Sequence, residues 1–214
     1  MSVIRQPGVL GRTTRRRLVG VTVALTAAVV ETLAVGLWFG LVVDSPSPST
    51  ALAGLGILFC GSVLRAGIFG ATVSGLGDFL QPRRLGAALA LTGGWLSWLF
   101  VADAVGGAPG VAVATVVLLL ALTGQFVLER RVFERRMASQ PTVASVLPAA
   151  LLALGGSLLL GVTWFTDLQL VSPPLSLEVT TIVLRIEPLQ VGILLFGLLA
   201  FLAHQRRFQY VLEP

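Results

Sequence analysis

Lysine is absent from this chain, and all 15 basic residues are arginine. That excludes a lysine Schiff base and the phosphate-holding lysine of a Walker loop. Cysteine occurs once, at Cys60, so neither an intrachain disulfide nor a cysteine-built metal site can form. Histidine also occurs once, at His204, without a neighbouring cysteine or carboxylate in the sequence to make a metal centre. Charge is scarce as well. Only 12% of the 214 residues are charged, against roughly 25% in a soluble domain, while 55% are hydrophobic and the mean hydropathy is +0.91. No strand-linked phosphate loop, G-x-S-x-G or H-E-x-x-H pattern is present, and no cofactor or metal is expected.

What the chain does have is a series of apolar runs, each near or above the length of about 20 residues needed to cross a bilayer. They lie at approximately 18–43, 51–80, 85–105, 111–128, 143–165 and 188–204. The pattern predicts an all-α, polytopic integral membrane bundle of six transmembrane helices. A single transmembrane domain, 18–208, follows a basic and irregular tail, 1–17, and precedes a short tail, 209–214. Pro82 stops the second run, and Gly106–Gly110 reads as a tight turn after the third. The segment Glu129–Pro141 reads as a surface stretch with its arginines among headgroups. Residues 175–187 are ambiguous. Glu178, Thr181 and Arg185 would share one face of an interfacial helix, but the β-branched content equally permits a short strand.

The net charge of +5 could suggest nucleic acid, but the arginines stand in small clusters beside apolar runs without aromatic stacking platforms between them. They fit membrane topology instead. With both termini cytoplasmic, 13 of the 15 arginines face the cytoplasm: Arg5, Arg12, Arg15, Arg16, Arg17, Arg83, Arg84, Arg130, Arg131, Arg135, Arg136, Arg206 and Arg207. This predicts a multi-pass protein of the cytoplasmic membrane. The lipid bilayer is its main partner, a further copy or a larger membrane complex is a possible second one, and nucleic acid is excluded. Trp38, Trp95, Trp98 and Trp164 then fall in the outer halves of their helices, as an interfacial aromatic belt would.

Two residues break the apolar runs. Glu31 lies in the middle of the first and Arg65 inside the second. An ionisable group at that depth costs at least ~2.5–3.5 kcal/mol unless it is paired or hydrated. A row of small residues at i+4 spacing (Gly20, Ala24, Ala28, Thr32, Gly36, Gly40) marks a packing face on the first helix, and Ser62, Ala66, Gly70 and Ser74 mark one on the second. Packing these rows together as a hairpin predicts that Glu31 and Arg65 meet on one side of the seam. The fourth run is bulkier and reads as peripheral.

Three functional classes follow. The first is a non-catalytic structural or accessory subunit with a buried Glu31–Arg65 pair. The second is a small transporter or channel-like protein that uses the same pair as a wet intramembrane site. The third is a membrane enzyme with Cys60 as nucleophile, which lacks a nearby histidine in the sequence. His204 reads as an interfacial cap beside Arg206 and Arg207, and Asp78 as a solvated end residue near Arg83 and Arg84.

Overall fold

The computed structural model describes residues 7–44, 47–73, 82–133, 143–177 and 180–212. Six helices dominate: α1 Pro7–Asp44, α2 Pro48–Val73, α3 Pro82–Val105, α4 Gly107–Phe133, α5 Val143–Phe165 and α6 Pro188–Leu212. All six contain stretches long and apolar enough to cross a membrane. The protein is therefore an all-α integral membrane bundle. Two helices are longer than the apolar pattern alone indicates. The segment 7–17 continues α1 instead of forming an irregular tail, and α6 runs past His204 to Leu212.

The helix starts follow their local chemistry. At α2, the Ser47 hydroxyl accepts from the Thr50 amide, and the Thr50 hydroxyl accepts from the Ser47 amide. This reciprocal cap precedes Pro48, whose missing amide costs nothing in the first turn. At α6, the Gln190 side chain reaches back to the Glu187 amide at 3.0 Å, again with proline at the next position. Between α3 and α4 the turn shrinks to Gly106. Its φ of +71° is a left-handed conformation that glycine adopts freely, and its amide closes α3 onto the Ala102 carbonyl at 2.9 Å.

The connection between α5 and α6 resolves the ambiguous segment as extended chain. Strand β1 (Leu170–Val171) pairs antiparallel with β4 (Arg185–Ile186), and β2 (Leu175–Leu177) pairs with β3 (Thr180–Ile182). Between the two ladders the Ser172 amide donates to the Leu184 carbonyl, and the Leu184 amide donates to the Ser172 hydroxyl. Together they form one long hairpin. The two prolines at its centre cannot donate to a ladder, which accounts for its division into two short pairings.

Each helix packs on its neighbour in sequence, and α6 returns to pack on α1, so the six form a closed ring. The outer surface is apolar. On α1, Leu18, Val21, Leu25, Val29, Leu33 and Leu37 are all exposed at helical spacing, which is the surface of a protein solvated by lipid. The ring centre is filled by Trp38 and Phe39 of α1, Trp95 and Trp98 of α3, and Phe196 of α6. Trp95 meets Trp98 edge-on at 5.3 Å and Phe196 edge-on at 5.4 Å. Three of the four tryptophans are thus core residues, and only Trp164 remains partly exposed. The belt expected from their depth is replaced by an aromatic plug, because helix depth says nothing about which way a side chain points.

Small residues set the close approaches. The α1 row does not face α2 as its hairpin position suggests. Gly36 packs on Ile193, Gly40 on Leu189, and Thr32 on Gly197, all of α6. The face of α1 that meets α2 carries Ala34 and Trp38 instead, opposite Gly61 and Gly54. A methyl group added at Gly61 would overlap the Ala34 methyl, whereas one added at Gly56 meets nothing within 4 Å. Gly61→Ala is therefore expected to destabilise the detergent-solubilised protein by about 1–3 kcal/mol. Gly56→Ala should be neutral or better, and Ala34→Gly should recover most of the loss in the Gly61→Ala background. Thermal melts of the four proteins check this.

Candidate functional site

Away from the α5–α6 hairpin, the ring interior changes from aromatic to ionic. Glu31 lies roughly 20 Å along α1 from the hairpin end of the bundle, at 1.5 Å per residue. Arg65 and His204 lie at roughly 24–26 Å along α2 and α6, and Glu129 at roughly 33 Å along α4. Alternating helix directions bring these positions into one slanted layer.

The layer is a continuous chain of contacts. Arg65 Nη1 approaches Glu31 Oε1 at 3.5 Å, and Arg65 Nη2 donates to Glu129 Oε1 at 3.1 Å. Glu129 Oε2 accepts from Arg207 Nη2 at 2.7 Å. At the other end, Glu31 Oε2 lies 2.6 Å from His204 Nε2. Gln125 Nε2 donates to Glu129 Oε1 at 2.9 Å and to the Ala87 carbonyl of α3 at 3.1 Å. The order is His204–Glu31–Arg65–Glu129–Arg207, and it ties α1, α2, α4 and α6 together with a backbone link to α3. Arg65 is 1% exposed, Glu31 3% and His204 0%, so the chain is internal. Phe126 of α4 provides a π face, with the Arg207 guanidinium carbon 4.1 Å and that of Arg65 5.6 Å from the ring centroid.

Hydroxyl groups inside the bundle pair with carbonyls and with one another. Ser62 donates to the Leu58 carbonyl at 2.8 Å, and Thr92 donates to the Ala88 carbonyl at 2.9 Å, with the two hydroxyl oxygens 3.3 Å apart. Thr115 and Ser157 hydrogen-bond to each other across α4 and α5. Bonding back to the carbonyl one turn earlier keeps such groups satisfied where lipid offers no partner.

Glu31 and Arg65 are brought together, but not as an isolated pair. The closer carboxylate to Arg65 is Glu129, and Glu31 is shared with His204. His204 is not an interfacial cap: it is completely buried, because α6 extends beyond it. Cys60 lies on an exposed flank of α2, so its thiol faces the lipid side and cannot form a cluster with Arg65 or His204. The structure thus does not bring the candidate nucleophile together with a histidine. Asp78 lies outside the described residues. Among the described residues, no three metal-ligating side chains converge.

Glu129, Arg207 and Gln125 were not singled out by the sequence pattern. Glu129 reads as the start of a solvated charge run and Arg207 as a topology arginine. A finer signal was available in the helical spacing. Leu118, Leu122, Phe126 and Glu129 form one stripe on α4, and Phe196, Ala200, Ala203 and Arg207 one on α6, each buried or half-buried. The stripe carries α4 inward, so this helix is not peripheral.

Because Glu129 holds two arginines, Glu129→Ala is expected to cost about 3–5 kcal/mol, the range for leaving buried charge unpaired. His204→Ala, at the end of the chain of contacts, removes one partner from Glu31 and should cost less. Unfolding of both variants in the same detergent tests the ranking. The chain matches no protein-family model, and neither curated proteins nor solved structures show significant similarity to it.

Proposed function

We propose that the protein is a non-catalytic structural or accessory subunit of the membrane, in which the buried ion chain acts as a clasp. The observation that carries this reading is charge balance. Two carboxylates face two guanidinium groups, each carboxylate is engaged by at least two side chains, and the set is neutral when His204 is neutral. A carrier built on Glu31 and Arg65 would hold its substrate between them, but these two already face each other, and Arg65 Nη2 and Glu31 Oε2 are committed to Glu129 and His204. The aromatic plug closes the ring centre on the side towards the hairpin. The arginine clusters at the end opposite the hairpin support a cytoplasmic position for both termini. The apolar outer surface leaves room for lipid and for further membrane chains, including a second copy.

The clasp makes a specific demand on double substitutions. Glu31→Gln or Arg65→Gln alone unbalances the interior by one charge, whereas Glu31→Leu with Arg65→Leu leaves Glu129 and Arg207 as a neutral pair. Each single variant is expected to lower the yield of folded protein several-fold, and the double variant to regain most of it. A double variant as poor as the worse single one refutes the clasp. Proteoliposomes of the native protein should show no solute flux under a pH gradient, and flux abolished by Glu31→Gln in a folded protein would establish the carrier instead.

A further inference from the structure

Between α1, α2 and α3 the ion chain borders a narrow recess with room for about one water molecule. Glu31, Leu58, Ser62, Arg65, Leu91 and Trp95 line it. Two of these side chains carry a buried N–H that has no acceptor among the described residues: Nε of Arg65 and Nε1 of Trp95. Both nitrogens lie on side chains that are at most 1% exposed, and both Nη groups of Arg65 are already committed to carboxylates. An unmade hydrogen bond in an apolar interior is costly, because neither water nor protein replaces the lost partner. Such donors call for an acceptor in the space they share.

The same walls also offer acceptors. Among the described residues Glu31 Oε1 receives only the long contact of 3.5 Å from Arg65, and the Ser62 oxygen, which donates to Leu58 and is approached by the Thr92 hydroxyl at 3.3 Å, keeps one lone pair. Two donors and two acceptors around a space of that size match the hydrogen-bonding capacity of water, which needs two to four polar partners to be held inside a protein. A monatomic anion would satisfy the two N–H groups, but it would share the recess with the Glu31 carboxylate. The nearest cation, Arg65, is already flanked by two carboxylates. A metal cation would meet the two N–H dipoles with the wrong sign. A neutral dipole satisfies every wall.

We propose that this recess is a binding site for one water molecule, which accepts from Arg65 Nε–H and Trp95 Nε1–H and donates to Glu31 and Ser62. The water supplements the longest link of the ion chain and joins it to the aromatic plug through Trp95. The site stands on its own lining and does not depend on the clasp reading.

The test is water–protein cross-relaxation in 15N-labelled native protein in lipid nanodiscs, read at the Trp95 indole and Arg65 Hε protons. Both are expected to show cross peaks to a long-lived water. Trp95→Phe should remove the indole peak and leave the Arg65 peak, while Leu91→Phe, which fills the recess, should remove both. Should Leu91→Phe fail to fold, Ser62→Val supplies a second variant, expected to weaken both peaks by removing an acceptor. Absence of both cross peaks in the native protein overturns the proposal. So does a shift of the Trp95 indole proton when chloride is replaced by bromide without a water contact, which would mark an anion site.

Discussion

Placing the two arginines and two carboxylates of the ion chain among apolar helices is costly unless the four meet, and this requirement decides which helices must sit side by side. Lipid tails are as apolar as leucine, so there is little hydrophobic preference for one helix neighbour over another. Shape and polarity supply the preference instead. Arg65 can satisfy Glu31 and Glu129 only if α2 reaches both α1 and α4, and Glu129 can hold Arg207 only if α6 closes the ring. The glycine and alanine faces then let the backbones come close enough for these side chains to touch. Helix α5 takes no part in the ion chain. It is held by two close crossings with α6, where its Gly155 meets Phe196 and its Leu159 meets Gly192, and by the Thr115–Ser157 hydroxyl pair with α4.

The interior has two regimes that divide the work of specificity. Towards the hairpin, interlocking aromatic rings specify shape: Gly156 is small because Trp95, Trp98 and Leu118 all press on it. Towards the opposite end, charge specifies partners. Trp95 stands at the border, since it belongs to the plug and also lines the recess beside Glu31 and Arg65.

Much of the fold could be read from residue order, because apolar run length is a strong property of a membrane helix and barely depends on tertiary context. The meeting of Glu31 with Arg65 was legible for the same reason: a lone charge in an apolar run has to find another. What could not be read was direction around the helix axis. In a soluble helix the polar face reports which side is outward, but here both sides are apolar. By depth alone Trp38, Trp95 and Trp98 therefore read as interface residues, and by hairpin position the small-residue row of α1 points to α2, although it faces α6. Helix ends were the second difficulty. Glu129, His204 and Arg207 sit where an apolar run gives way to charge, and only the continuation of α4 and α6 beyond that point makes them internal.

The order of the buried charges along the chain has a consequence for how such a protein enters a membrane. Read from the amino terminus, the members of the ion chain run Glu31, Arg65, Glu129, Arg207, alternating in sign, and each touches the one before it. Helices delivered to the bilayer in order of synthesis would bring Arg65 to a carboxylate already in place, then Glu129 to an arginine, then Arg207 to a second carboxylate. Only Glu31 enters without a predecessor, and the very next helix answers it. The ion chain is thus also a schedule, in which Glu31 and Arg65 meet within the first hairpin and the last helix both completes the layer and closes the ring.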